Sequence, residues 1–181
     1  MRAIALLRGI NVGGHKIIPM VKLKAIFESA GFKNVVTFIQ SGNVLFDSTT
    51  SDTKTLRTKI EKMLTEALGY DVPTVVRSAD EMKNVISKNP FMVEHVEKKT
   101  KYYVMFLEKK PTKSERQSVL AMQVKGMDFR FGTCELYCLL DPKFSGNDSP
   151  FSNVKLEKLL NQKGTTRNWA TTTKLAELTA V

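Results

Sequence analysis

The sequence predicts an α+β fold of two ferredoxin-like βαββαβ(α) halves packed together. Three observations predict it. Apolar runs of strand length alternate with segments of helical periodicity. The order β-α-β-β-α-β-α is read in the first half of the chain and again, with little residue identity, in the second. A glycine-containing turn separates the paired strands of each half.

The elements follow in order. Ala3, Ile4, Ala5, Leu6 and Leu7 are apolar on both faces of a strand, as a central strand covered on two sides requires. A glycine-containing loop over residues 9–14 leads to Pro19, read as the first helical position, and Leu23, Ile26, Phe27 and Ala30 keep helical spacing until Gly31. Residues 35–39 and 44–46 read as two strands joined by a two-residue turn at Ser41 and Gly42, with Gln40 and Asn43 facing each other across it. Leu56, Ile60, Met63, Leu64 and Ala67 mark the buried stripe of a second helix that ends at Gly69, and residues 72–76 form the next strand. Ser78 and Glu81 have the spacing of a capping box for a short helix through Ile86.

In the second half, residues 102–107 form a strand, Thr112 and Glu115 cap a helix, and residues 127–131 and 136–140 make a hairpin around residues 132–134. A helix carrying Leu156, Leu159 and Leu160, a β-prone Thr165-Thr166-Arg167 and a last helix with Leu175 and Leu178 complete the repeat. The corresponding division is residues 1–88, a linker at 89–100 with Pro90 and mixed charges, and residues 101–181.

Composition bounds the function. The chain has 181 residues, 42% of them apolar, so it can bury a sizeable core. Lys and Arg number 28 against 18 Asp and Glu, a net charge of +10, which favours anionic partners: a small molecule bearing phosphate, or a nucleic acid. The competing account is a solvated surface, since many of the lysines adjoin acids. On one extended strand Cys134 and Cys138 would stand about 13 Å apart, too far for a disulfide; a turn between them would permit a bridge, but two Cys in a chain of this size read as reduced, and their spacing is not that of a zinc pair. No targeting or membrane-spanning run is read, so the expectation is a cytoplasmic protein without a membrane partner, its oligomeric state open.

The chemistry-bearing residues concentrate early. In a split βαβ sheet the first two strands are parallel, so the loop at residues 8–14 and the hairpin at 40–43 come to the same edge. Arg8, Asn11, Gly13, Gly14, Gln40, Ser41 and Asn43 then line one concavity suited to an anion, with backbone N–H groups beside the glycines as further donors. Alternatively, Asn11, Gln40 and Asn43 stitch the loop to the hairpin by internal hydrogen bonds. Gly9 and Gly14 have P-loop spacing, but His15 stands where Lys is needed and Ile17 where the metal-binding hydroxyl belongs, which excludes that motif. His15 and His95 are the only histidines, and neither has a Cys or carboxylate arranged near it in sequence; no metal site, cofactor motif or catalytic residue is assigned. Arg167 and Asn168 form a second donor-rich segment: either they join the ligand site of Arg8, or Asn168 caps the last helix while Trp169 fills the core.

Four stretches carry a resemblance: Leu6-Leu7-Arg8-Gly9-Ile10-Asn11-Val12-Gly13-Gly14, Gln40-Ser41-Gly42-Asn43, Asn89-Pro90-Phe91, and Thr166-Arg167-Asn168-Trp169 with Lys174-Leu175. In this order the chain resembles the domain-of-unknown-function family 1697. The resemblance implies two ferredoxin-like halves and brings no assigned activity.

Three functions fit these residues. One is a binding module for an anionic ligand. The second is an enzyme of unrecognised class that uses Arg8, Asn11, Gln40 and Arg167 against developing charge. The third is an interaction or structural protein whose polar block is a latch. An RNA-recognition variant of the first is disfavoured because residues 43–46 lack paired aromatics for base stacking.

Overall fold

A computed structural model of the chain describes residues 1–91, 100–144 and 151–180. The chain divides into two compact units, Met1–Asn84 with Lys174–Val181, and Val85–Thr173.

In the first unit, β1 (Arg2–Leu7), α1 (Met20–Ser29), β2 (Lys33–Phe38), β3 (Asn43–Asp47), α2 (Thr53–Leu68) and β4 (Thr74–Ser78) give a four-stranded sheet of order β2-β3-β1-β4. Each neighbouring pair is antiparallel, so β3 is inserted between the parallel β1 and β2 as the split pattern requires. Ala3, Ala5, Leu7, Val44, Phe46 and Val76 face Leu23 and Phe27 of α1 and Leu56, Ile60 and Leu64 of α2 in one core. Phe27, Phe32 and Phe46 meet there in a cluster with centroids 4.6–5.7 Å apart. The opposite face of β1, Ile4 and Leu6, is also closed to solvent, which accounts for a strand apolar on both sides.

Local chemistry sets the helix ends. Asp52 accepts from the N–H groups of Lys54 and Thr55 at the start of α2, and Gly69, at φ +77°, takes the left-handed conformation that ends it. Ser78 and Glu81 exchange side-chain and backbone hydrogen bonds in a capping box that opens α3 (Ala79–Ser87).

Two boundaries differ from expectation. Pro19 is the N-cap of α1 rather than its first residue, because its ψ of 137° is extended. The strand expected at 72–76 is β4 at Thr74–Ser78: Pro73 has no N–H for a ladder, and its carbonyl accepts instead from the Arg8 N–H at 2.9 Å.

The second unit repeats the order with β5 (Lys101–Leu107), α4 (Lys113–Leu120), β6 (Met127–Phe131), β7 (Glu135–Leu140), α5 (Asn153–Leu160), β8 (Gly164–Asn168) and the start of α6 (Trp169–Thr179); its sheet order is β6-β7-β5-β8. Its core joins Met105, Leu107, Phe129, Leu136, Cys138 and Leu140 to Val119 of α4 and Leu156 and Leu160 of α5. Thr112 and Glu115 form the expected capping box. The two units are similar halves to the level of single hydrogen bonds. Leu7 N–H donates to Gly42 O at 2.8 Å and Leu107 N–H to Cys134 O at 2.9 Å. Glu61 of α2 accepts from Thr74 N–H at 2.9 Å, and Glu157 of α5 from Gly164 N–H at 3.0 Å, each holding the first residue of an outer strand.

Neither Cys134 nor Cys138 is in a disulfide, and burial pushes the Cys138 thiol well above the ordinary range, so it stays protonated. Among the described residues no helix is long and apolar enough to cross a membrane.

Candidate functional site

The end of the first sheet where β1 and β2 finish gathers three connections. They are the loop at 8–19 after β1, the hairpin loop at 39–42, and residues 69–73 between α2 and β4. The hairpin departs from expectation. Phe38, not Gln40, pairs with Asn43, so the connection has four residues, with Ile39 at φ +47° and Gly42 at φ +74°. Gly42 is required twice, by that angle and by space: a Cβ there would lie 2.8 Å from Leu7 Cβ and 2.9 Å from Ile10 Cδ1.

Asn11 is the joint of this end. Its Nδ2 donates to Ile18 O at 3.1 Å and to Gln40 O at 2.9 Å, and its Oδ1 accepts from Ile18 N–H at 2.7 Å. One side chain therefore closes the long loop on itself and fastens it to the hairpin. Beyond it the chain makes a small ribbon: Asn11 N–H donates to Lys16 O, His15 N–H to Val12 O, and Gly13 and Gly14 turn the corner at φ +58° and +77°. These are the positive angles of a primed turn, so the glycines serve chain reversal at a surface ribbon rather than a P-loop. Gly13 and Gly14 are exposed, and among the described residues their N–H groups donate to nothing. Lys16 donates to Asp71 O at 2.8 Å and lies 4.8 Å from the Tyr70 ring centroid, tying the ribbon to the third connection.

Asn43 is buried, donating to Phe38 O and Ser41 Oγ at 3.0 and 2.9 Å. It thus shapes the hairpin from inside. Gln40 is exposed, while Arg8 and Ser41 are half-buried. Across residues 1–47 six cationic side chains, Arg2, Arg8, Lys16, Lys22, Lys24 and Lys33, stand against two acids, Glu28, which pairs with Lys24 at 3.7 Å, and Asp47, which pairs with Arg2 at 3.5 Å.

Arg167 and Asn168 lie in the second unit. Asn168 accepts from Thr171 N–H at 2.7 Å and caps α6. Arg167 pairs with Val104 in the middle of the β5–β8 ladder, is buried, and donates to Thr165 Oγ1 and Thr166 O at 2.8 and 2.9 Å; burial lowers its pKa to about 10. Sequence reasoning missed its counterpart. Arg77, buried in β4 opposite Ile4, occupies the same register, four residues along from Leu7–Thr74 as Arg167 is from Leu107–Gly164 when both ends are counted. The repeat of Thr74-Val75-Val76-Arg77-Ser78 as Gly164-Thr165-Thr166-Arg167-Asn168, each ending in a helix-capping residue, carried that signal.

Asn89-Pro90-Phe91, where the expected linker starts, makes defined contacts with residues of the second unit. Asn89 Oδ1 accepts from Phe91 N–H at 2.9 Å and from the Tyr102 hydroxyl; Phe91 meets the Tyr102 ring edge-on, and Tyr102 stacks on Trp169 at 4.7 Å. Arg130 covers Phe91 at 4.4 Å and donates to Pro90 O at 2.9 Å. The rest of that segment, residues 92–99 with His95, lies outside the described residues.

The second unit's equivalent end looks different. A shallow groove of about 580 Å³ is lined there by Glu108, Lys109, Glu157, Lys158, Gln162 and Lys163, among others, so it has no single sign of charge. Among the described residues no group of three His, Cys, Asp or Glu could hold a metal ion.

Comparison with known proteins adds fold and family. The chain is similar to a solved structure described as "conserved bacterial protein SP0830 from Streptococcus pneumoniae", with 19% identity, a TM-score of 0.78 and 98% of each chain covered. At that identity the likeness speaks for the fold alone. No curated protein matches the sequence. The family described as "Protein of unknown function (DUF1697)" matches residues 1–137, and the chain belongs to it.

Proposed function

We propose that this protein is a binding module for an anionic, phosphate-bearing ligand, received at the end of the first sheet by Arg8, the Gly13-Gly14 turn, Gln40 and Ser41, with Asn11 and Asn43 holding those groups in place. The observation that carries the reading is the glycine turn. Two exposed backbone N–H groups without an internal acceptor sit on a ribbon fixed by Asn11, in a segment whose charge is almost wholly positive. The saturated hydrogen bonds of Asn11 and Asn43 also favour a second reading, in which the polar block is a latch and nothing binds.

An amide NMR titration of the full chain with inorganic pyrophosphate and with a single-stranded RNA, at roughly 50 and 200 mM salt, separates the two. Binding predicts shifts at Gly13, Gly14 and Gln40 that weaken with salt and vanish in Arg8→Ala without a change of melting temperature. No shift with either probe, or an Arg8→Ala chain that simply melts lower, leaves the latch. The RNA arm separates a nucleic acid from a small phosphate compound.

A further inference from the structure

We infer that the same end of the first unit carries a docking edge for another protein: an extended, acidic segment with aliphatic side chains, added alongside β2. The inference rests on exposed aliphatics and an open strand, and stands whether or not the glycine turn takes a phosphate.

Val12, Ile17 and Ile39 are 64%, 71% and 49% exposed. They are not scattered. Each is the immediate chain neighbour of a residue joined at the Asn11 side chain, namely Asn11 itself, Ile18 and Gln40, so the hydrogen bonds that fasten the loop hold the backbone of all three around one joint. Nothing in the local fold needs them outside: Ile10 and Ile18 of the same loop are buried. Aliphatic groups left in water around a rigid joint mark a contact surface.

The neighbouring edge supplies backbone groups. β2 is an outer strand of its sheet, and Val36 on it is exposed as well. Its first half is protected in the usual ways of edge strands: the register shifts between Lys33 and Val36, Asn34 is left-handed at φ +48°, and the Asn34 carbonyl is occupied by Arg2 at 2.8 Å. From Val36 to Phe38 the strand runs in regular register with β3, until Ile39 turns left-handed at φ +47°. An extended chain laid there adds a strand by main-chain hydrogen bonds, and its alternate side chains reach the aliphatic cluster.

Charge selects the partner. Arg8 and Lys16 lie in the same loop as Val12 and Ile17, and the segment through Asp47 holds six cations against two acids. Two copies of this chain meeting edge to edge would bring like charges together, which disfavours a self-pairing and favours an acidic strand. Exposed aliphatics gain nothing from a phosphate backbone, so nucleic acid does not account for them.

The test uses the full chain and a synthetic extended peptide with Glu and Leu at alternate positions, N-methylated along one edge to keep it monomeric. Controls are the same peptide with Ser for Leu and vesicles rich in phosphatidylserine. The inference expects amide shifts at Val36, Thr37, Ile39 and Gln40, with affinity about tenfold or more above that of the Ser peptide. It expects that margin to disappear in a Val12→Ser, Ile17→Ser chain whose melting temperature is unchanged. Equal binding of the Ser peptide, shifts elsewhere, binding to vesicles but not to the peptide, or no binding at all would overturn it. A pyrophosphate-binding chain that ignores the peptide loses this inference alone, and one that binds the peptide but not pyrophosphate loses only the phosphate site.

Discussion

The hairpin ends of the two units share a skeleton and differ in what is hung on it. In both, the last residue of the central strand donates to the hairpin, and a Glu from the second helix holds the first residue of the outer strand. But residues 8–19, twelve of them, connect the first strand to its helix in one unit, where residues 108–112, five of them, suffice in the other. The short loop is what the fold needs. The seven additional residues form a latched ribbon with exposed aliphatics, two unbonded glycine N–H groups and Lys16, and loops longer than their scaffold requires are where function is carried.

The largest effect that would sharpen this comparison is at the hairpin. Gly42→Ala places a Cβ against Leu7 and Ile10 and forces a left-handed alanine, costing about 2–3 kcal/mol, while Cys134→Ala at the equivalent place stays within about 0.5 kcal/mol. Urea titration of both variants measures the difference, and equal losses would mean that the two hairpins are not equivalent in the way the register indicates.

Next comes the latch. Asn11→Ala removes three side-chain hydrogen bonds and should cost about 1–3 kcal/mol, with faster hydrogen exchange at the Ile18 amide. The shorter loop of the second unit is fastened from outside instead, by Gln162, whose Oε1 accepts from Lys109 N–H at 3.0 Å. If exchange in residues 11–18 were unchanged, the ribbon would be held by something other than Asn11.

Smaller and equal effects are expected where the units agree. Ser78→Ala and Asn168→Ala each remove a cap at the same structural place and should each cost about 1 kcal/mol by thermal denaturation. A cost confined to one of them would break the likeness at that position.

The smallest effect is on pH. Hydrogen bonds from Thr55 and Lys54 lower the Asp52 pKa, and those within the Thr112 capping box lower that of Glu115, one carboxylate in each unit. A folded pKa below the unfolded one means that the stabilisation is present above the unfolded value, near 4, and is lost as pH falls through the folded value. Helicity of α2 and α4 should therefore weaken together on acidification below about pH 4, as amide NMR can follow; loss in only one helix would count against the matched caps.

Much of this was readable beforehand because its causes are local. Capping boxes at Ser78 and Thr112, the stop at Gly69, and the stripe Leu56, Ile60, Leu64 are set by neighbours within a helical turn or two. Less is legible where a distant partner decides. The hairpin was placed two residues short because Asn43 pairs with Phe38 and bonds inward to it. The packing of Asn89-Pro90-Phe91 has no local signal, because its partners Tyr102 and Arg130 lie farther along the chain. Arg77 went unnoticed because a lone arginine in a strand acquires meaning only beside Arg167 in the matching register.

By itself the sequence determined the element order, the likeness of the two halves and the meeting of the first loop with the first hairpin, since periodicity, caps and the parallel direction of the first two strands are properties of short segments and of topology. Tertiary structure alone decided which polar residues remain available there. Hydrogen bonds saturate, and only the folded positions of Ile18, Gln40 and Phe38 turned Asn11 and Asn43 into framework while leaving the Gly13-Gly14 turn and the aliphatics around it facing water.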